Sequence, residues 1–242
     1  MDLFGNYIMR NEEEIIKELI AKLACDCSIL EIKDFQELMS KYHQALAEGK
    51  KEAYTPLFIL PPREALGDVE LSSEERKGIL EKAKDIDAKT LLNQLYERNM
   101  VFHDMSFEEV DEFEENQEQE EGFAGIGLNV GRKVILAKIP TDKPWELAAW
   151  IPMGGYNECP EPEEQVAIFK YWYEKYGAIP GFVSHDIWEF YVEKPPKSQE
   201  EAEELAREQF AFCGDIVWQG TGTVKQLTGT LLSARYWFFW WD

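Results

Sequence analysis

Six consecutive aromatic residues, Tyr236–Trp241, limit the possible folds of this sequence more than any other feature. If the run is a β-strand, its side chains alternate between the two faces, so both faces are large and apolar. That pattern is typical of a strand covered on both sides, and we expect a central strand rather than an edge strand. A platform that stacks bases or peptides is the alternative, but the run contains no Lys or Arg to favour nucleic acid.

Charge and aromatic content divide the chain near residue 121. Residues 1–121 hold 30 acidic and 14 basic side chains, whereas residues 122–242 hold 17 and 11, together with all eight tryptophans. Glu108–Glu121 contains nine acidic residues and no basic one, a composition that favours a solvated linker or, alternatively, an acidic surface that a partner recognises. We predict an acidic N-terminal region over 1–121 and an aromatic-rich domain over 122–242.

The N-terminal region is predicted to be mainly helical. Asn11 and three glutamates precede an amphipathic pattern, which predicts a capped helix with acidic side chains at its positive end. Further helices are predicted over about 32–46, 73–84 and 87–98. Tyr54–Leu60, which Pro61 and Pro62 close, is the single predicted strand of this region.

The second region alternates between strand and helix patterns. Strands are predicted at Gly125–Val130, Lys133–Ile139, Trp145–Ile151, Phe182–Ser184, Ile187–Glu193, Asp215–Trp218 and Arg235–Trp241. Helices are predicted between Pro160 and Gly177, from Ser198 to Phe212 and after Thr223. The order predicts an α+β fold, in which a mixed β-sheet carries packed helices and follows a mainly helical N-terminal region.

No cofactor or metal is expected from the motifs. Gly125 and Gly127 lie between two predicted strands, whereas a dinucleotide-binding motif needs glycines between a strand and a helix. Cys25 and Cys27 cannot share one face of a helix, and the second ligand pair of a tetrahedral zinc site is missing. Gly220–Thr223 could hold an anion at a helix start, but a turn with an N-cap is the favoured interpretation.

Localisation is inferred from what the sequence lacks. It shows no secretory signal and no apolar run long enough to cross a bilayer, so we expect a cytoplasmic protein with four free thiols. A net charge of -22 argues against nucleic acid and anionic membranes as partners, because both require a surplus of Lys and Arg. A basic protein is a possible partner, and the oligomeric state stays open.

The candidate catalytic residues are Cys159, His185 and Asp186. Cys159 lies just before the positive end of a predicted helix, where a thiol can ionise, and His185 oriented by Asp186 would complete a Cys-His-acid arrangement. Four neighbouring glutamates oppose this by raising the pKa of the thiol. A buried structural cysteine is the favoured alternative, and whether the protein is an enzyme stays undecided.

The candidate ligand-binding residues surround that thiol in the sequence or close the chain. Gly154, Gly155 and Asn157 tolerate the backbone of a tight turn between a strand and a helix. Asp242 follows the aromatic run and is the fourth candidate.

Several spaced motifs of the C-terminal region together carry a resemblance to a known family. They include Pro144-Trp145-Glu146, Gly154–Pro160, Ser184-His185-Asp186, Leu205–Gln209 and the closing Trp237–Asp242. Over about residues 144–242 the chain resembles the bacterial domain-of-unknown-function family numbered 4253. Tyr156 stands where that family often has Trp, which is a conservative difference. The resemblance implies no activity, substrate or catalytic residue.

Three functional hypotheses follow. The first is a non-catalytic binding protein, comparable to an immunity protein, whose acidic surface engages a basic protein. The second is a hydrolase or transferase that uses Cys159, His185 and Asp186. The third is a structural or accessory domain. Under these hypotheses, attraction to a basic partner should map to residues 1–121 and a small-molecule site to residues 144–242.

Overall fold

The computed structural model describes residues 11–61, 72–102 and 121–242. Within them the helices are α1 Glu12–Leu23, α2 Phe35–Glu52, α3 Ser73–Ala83, α4 Ala88–Phe102, α5 Ala124–Leu128, α6 Leu147–Trp150, α7 Pro162–Tyr176, α8 Gln199–Phe212 and α9 Val224–Leu231. The strands are β1 Asp26–Glu31, β2 Thr55–Ile59, β3 Lys133–Ile139, β4 Ala178–Val183, β5 Ile187–Val192 and β6 Tyr236–Trp240. The acidic run 108–121 lies outside the described residues, apart from Glu121.

One mixed sheet joins the strands in the order β1-β3-β2-β4-β5-β6. The β2–β4 pair is parallel, and the other neighbouring pairs are antiparallel. The predicted α+β fold with a mixed sheet is therefore confirmed. Strands from the two predicted regions alternate, since β2 lies between β3 and β4, so the N-terminal region shares the sheet.

Alternate residues of each strand contact different cores, which places helices on both faces of the sheet. Leu57 and Ile59 of β2 belong to the larger core, with residues of α1, α3, α4 and α6–α9. Phe58, between them, belongs to the smaller core, with residues of α2 and α5. Since neighbouring strand residues point to opposite faces, the molecule has three layers.

The aromatic run forms β6, but β6 lies at the edge of the sheet and pairs with β5 alone. Trp237 and Phe239 are buried in the larger core, whereas Tyr236, Phe238 and Trp240 on the other face are partly exposed. The predicted central position is therefore wrong. Of the three partly exposed residues, Tyr236 packs against the smaller core, to which α2 and α5 contribute.

The longer helices were predicted well because their first turns carry strong caps. The side chains of Asn11, Asp34, Ser72 and Ser198 each accept a backbone N–H of the helix that follows. Helix α2, predicted over about 32–46, begins at Phe35 and continues to Glu52. Ala53 then terminates it in the left-handed conformation, with a φ of 57°.

Three short segments were assigned wrongly, and a fourth was missed. Gly125–Val130 forms α5 and a turn rather than a strand, Trp145–Ile151 is mostly helical, and Asp215–Trp218 begins a π-helical turn over Ile216–Thr221. The strand β1 was missed. Runs of four to seven apolar residues cannot be divided between strand and helix by periodicity alone.

No helix in the described ranges is both long enough and apolar enough to cross a membrane.

Candidate functional site

The loop between α6 and α7 has an unusual backbone, and it contains most of the predicted site residues. Gly154 and Gly155 have φ values of 136° and 70°, which glycine adopts without strain. Asn157 and Glu158 also have positive φ values, 43° and 63°. Such values are uncommon for residues with a side chain, and they persist only where the surrounding structure holds them.

Gln165 of α7 holds this loop. Its side chain is fully buried, and its Nε2 donates to the carbonyl oxygens of Met153 and, at 2.7 Å, Pro160. Its Oε1 accepts the indole N–H of Trp188 on β5 at 2.9 Å. One amide therefore ties both ends of the loop to the sheet.

Cys159 lies inside the loop rather than on its surface. Its side chain is 4% exposed, and its Sγ lies 3.6 Å from Nε2 of Gln165. Burial raises the pKa of the thiol, and the charges of Glu161 and Glu164 raise it further. The thiol therefore stays protonated, in agreement with the expected effect of the surrounding glutamates.

The turn between β4 and β5 positions His185 and Asp186 at the surface. One oxygen of Asp186, Oδ1, accepts the hydroxyl of Ser184 at 2.6 Å and lies 3.2 Å from Nδ1 of His185. The imidazole is 73% exposed. Asp186 therefore contacts His185, but it does so at the surface, and no hydrogen bond between His185 and Cys159 occurs among the described residues.

Hydrogen bonds join this turn to the loop and to the last residues of the chain. The hydroxyl of Tyr156 donates to the carbonyl oxygen of His185 at 2.5 Å. The backbone N–H of Trp241 donates to the carbonyl oxygen of Asp186 at 3.1 Å. The next N–H, of Asp242, donates to Oδ2 of Asp215 at 3.1 Å. We call the resulting surface the acidic rim and define it as Tyr156, Glu158, His185, Asp186, Asp215 and Asp242.

The acidic rim lies at the end of the sheet where β4 ends and β5 begins. In the described part of the chain, none of its four carboxylates forms an ion pair with a Lys or Arg side chain. Arg98 approaches Glu158, but it contacts the backbone carbonyl oxygen at 3.5 Å. The rim is therefore a negatively charged surface, with His185 beside Asp186 and Arg98 beside the backbone of Glu158.

The structure thus brings most of the predicted site residues to one end of the sheet. Gly154, Gly155 and Asn157 shape the loop, while His185, Asp186 and Asp242 lie on the rim. Cys159 lies beneath them, bonded to a different partner. The catalytic roles of Cys159, His185 and Asp186 stay a prediction, without the thiol–imidazole hydrogen bond that activates a cysteine nucleophile.

Two residues important to this arrangement were not predicted. Gln165 was overlooked because a glutamine within an amphipathic helix gives no signal that its amide will be buried. Asp215 was assigned to a strand, whereas it begins the π-helical turn. Such turns are frequent at functional positions, but they have no sequence signature that would have identified this one.

Two grooves lie elsewhere on the surface. The larger, of about 530 Å³, is bordered by α5 and β6, and the buried carboxylate of Glu189 lines it. That carboxylate accepts the backbone N–H groups of Ala124 at 2.6 Å and Gly125 at 2.7 Å, where α5 begins. The smaller, of about 230 Å³, lies between α4 and α8. The predicted site residues line neither groove.

Comparison with known proteins supports the resemblance of the C-terminal region. Residues 135–242 match the model of a domain of unknown function, DUF4253. The matched segment includes the loop, the turn, Asp215 and the last residues, and therefore the whole acidic rim. No curated protein and no solved structure matches the chain.

Proposed function

We propose that this chain is a non-catalytic binding protein that engages a basic protein partner through the acidic rim, as an immunity protein engages a cationic toxin. The observation that carries the proposal is the set of four rim carboxylates that, among the described residues, have no Lys or Arg ion pair. Carboxylates that pair with no Lys or Arg of their own chain are available to the cations of another molecule.

The charge of the whole chain supports this proposal. The sequence carries 47 acidic and 25 basic residues, and many of its lysines already pair with its own glutamates, including Lys50 with Glu193 and Lys82 with Glu163. The remaining acidic side chains produce a negative field. A field of this sign attracts basic proteins and accelerates their association at low ionic strength.

The rigidity of the rim also favours binding. Gln165 and the bond between Tyr156 and His185 hold the loop in one conformation, so little conformational entropy is lost when a partner binds. The ring of Tyr156 is 36% exposed beside the carboxylates. Tyrosines in such positions commonly contribute strongly to protein interfaces.

The state of Cys159 argues against the competing hydrolase or transferase hypothesis. A nucleophilic cysteine needs a lowered pKa and a base within hydrogen-bonding reach. Here burial raises the pKa of the thiol, and its hydrogen-bonding partner is an amide. Binding therefore accounts for the geometry better than thiol catalysis does.

The acidic rim is a smaller surface than residues 1–121, the region to which the sequence pattern assigned attraction to a basic partner. The acidic run 108–121 falls outside the described residues except for Glu121, so the proposal does not depend on it. Lys41 of α2 and Lys84, which follows α3, pair with neighbouring glutamates. These pairs lower the local charge.

Affinity capture tests the proposal. The full chain is immobilised and exposed at low salt to a lysate of the cells that produce it naturally, and retained proteins are identified by mass spectrometry. We expect a basic protein that elutes as salt is raised. The rim variant neutralises the four carboxylates by the substitutions E158Q, D186N, D215N and D242N.

A control variant removes the same amount of charge from the helices at the opposite end of the sheet. It carries the substitutions E52Q, E174Q, E200Q and E203Q, all at exposed positions. The proposal requires that the rim variant loses the basic protein and that the control retains it. Retention by both variants, or capture of no basic protein by the unmodified chain, would refute the proposal.

A further inference from the structure

Cys25 and Cys27 lie close together on the opposite edge of the sheet from β6. The two cysteines do not lie in a helix: Cys25 lies in the bend between α1 and β1, and Cys27 is the second residue of β1. The two sulfur atoms are 3.7 Å apart, in hydrogen-bonding contact.

Both thiols are partly exposed, unlike the other two cysteines of the chain. Cys25 and Cys27 have intermediate exposure, whereas Cys159 and Cys213 are buried. The side chain of Asp26, between the pair, is 75% exposed and points away to Lys138 at 3.9 Å. Both cysteines pack against the larger core yet keep part of their surface exposed, and a small reagent can approach the pair from that side.

The pair also has a cation beside it. The guanidinium of Arg76 lies over the ring of Trp150, 3.3 Å from its centre, and its charge acts on Cys25. The two thiols share a hydrogen bond, which lowers the pKa of Cys27 and raises that of Cys25. Cys27 is therefore the better nucleophile of the two, with Cys25 in position to react next.

We propose that Cys25 and Cys27 form a modification site, a dithiol that a small-molecule disulfide oxidises to an intrachain disulfide. The proposal stands on the contact between the two sulfur atoms, the partial exposure of both residues and their position where the chain enters the edge strand β1. It is independent of the acidic rim.

The reaction proceeds by two thiol–disulfide exchanges. The thiolate of Cys27 attacks one sulfur of the small disulfide, breaks its S–S bond and releases one small thiolate, leaving a mixed disulfide on Cys27. Cys25 then loses its proton to water and attacks the sulfur of Cys27, which releases the second small thiolate. The two cysteines have lost two electrons, the small disulfide has gained them, and two protons have left the protein.

The backbone at this position can accommodate the bond. Even in a regular strand, residues two apart have Cα atoms about 6.7 Å apart, just within the upper limit of about 6.8 Å for disulfides. Cys25 lies in the bend before the strand rather than in it. Asp26 is the first residue in register with β3, so Cys25 lies outside the ladder and can move. A disulfide over so short a loop should also be reduced readily.

Mass spectrometry of the full-length protein tests the proposal. The folded protein is treated with glutathione disulfide, trapped with acid and weighed before and after protease digestion. We expect a loss of about 2 Da and a peptide that carries a Cys25–Cys27 bond. Dithiothreitol should restore the original mass. Cys159 and Cys213 serve as internal controls and should stay unmodified.

Single substitutions distinguish the two sulfur atoms. The C25S variant should keep one glutathione on Cys27, because no second thiol displaces it, and the C27S variant should react more slowly. A stable glutathione adduct on the unmodified chain, a bond to Cys159 or Cys213, or no reaction at all would overturn the proposal. Thiol counting in denaturant verifies that each sample began fully reduced.

Discussion

Gln165 is the side chain that fastens the strained loop to the sheet. Replacing it with alanine would leave the indole N–H of Trp188 and the carbonyl oxygens of Met153 and Pro160 without their partner in a buried site. Buried polar groups that lose their partners are costly, and we expect Gln165→Ala to lower the free energy of unfolding by about 3 kcal/mol. Urea denaturation measures the change.

Gln94→Ala is the matched control for that prediction. Gln94 lies exposed on α4, and a surface substitution of this kind should change the free energy of unfolding by less than about 0.5 kcal/mol. If both variants unfold at the same urea concentration as the unmodified chain, Gln165 does not hold the loop.

His43 links the N-terminal region to β6. Its Nε2 lies 2.8 Å from the hydroxyl of Tyr236, its ring packs against Tyr191, and burial lowers its pKa. Above about pH 6.5 the imidazole is neutral in both the folded and unfolded states. Below that pH the unfolded chain binds the proton first, so the free energy of unfolding falls as pH decreases through the lower pKa of folded His43.

We therefore expect the unmodified protein to lose more stability between pH 7.5 and pH 5 than a His43→Gln variant does. Carboxylates contribute equally to both proteins, so the difference isolates His43. Thermal or urea unfolding at a series of pH values measures it. Parallel pH profiles would show that the burial of His43 does not affect its protonation.

Among single residues, the sequence indicated the residues that form the loop better than the buried side chains that hold backbone groups in place. Gly154, Gly155 and Asn157 were recognised because a turn of this kind needs residues that tolerate positive φ values. Gln165 and Glu189 were not recognised. Their importance depends on which backbone groups the fold brings to them, and local pattern does not contain that information.

At the scale of elements, glycine substitutions distinguish the loop from a regular helix. A Cβ on Gly154 would lie 2.0 Å from the carbonyl oxygen of Pro160, and φ there is 136°. Gly154→Ala should therefore lower the free energy of unfolding by about 2 kcal/mol or more. Gly78 lies within α3 with no atom within 4 Å of an added Cβ.

Gly78→Ala should instead raise the free energy of unfolding by about 0.5–1 kcal/mol, since alanine favours helix. Urea denaturation of both variants tests the pair. Loss of stability in Gly78→Ala, or none in Gly154→Ala, would contradict these backbone assignments.

Helices with N-cap residues at their start could be predicted from the sequence. Short helices without such residues could not. Ser72, for example, forms a capping box with Glu75, and α3 begins where that pattern predicts. By contrast, the N–H groups at the start of α5 are bound by Glu189, a residue 64 positions away from Gly125. Helix formation there depends on tertiary contact, so the segment was assigned to a hairpin.

At the scale of the whole molecule, the sheet draws on both predicted regions. The segment that matches DUF4253 contains β4–β6 and most of β3, while β2, from the other region, lies between β3 and β4. A mixed sheet could be predicted from the order of patterns, but the strand order could not. It depends on a parallel pairing between strands that are more than 100 residues apart.

At this scale, the acidic rim and the control substitutions lie at opposite ends of the sheet. Helices α2 and α7 lead into β2 and β4, which are parallel, so both helices end at the side of the sheet opposite the acidic rim. Two carboxylates of the control variant, Glu52 and Glu174, lie on those helix ends. The rim variant and the control variant therefore lose the same charge at opposite ends of the sheet. A difference between them in binding reports recognition at the rim rather than the effect of net charge.

The dissociation constant for the captured basic partner is the most direct test of the proposed function. Isothermal titration calorimetry at low and moderate salt would compare the unmodified chain with the rim and control variants. We expect the rim variant to bind at least about tenfold more weakly at low salt and to lose most of its salt dependence, while the control changes by less than about threefold. Equal weakening of both variants would contradict the account, because net charge alone would then explain binding.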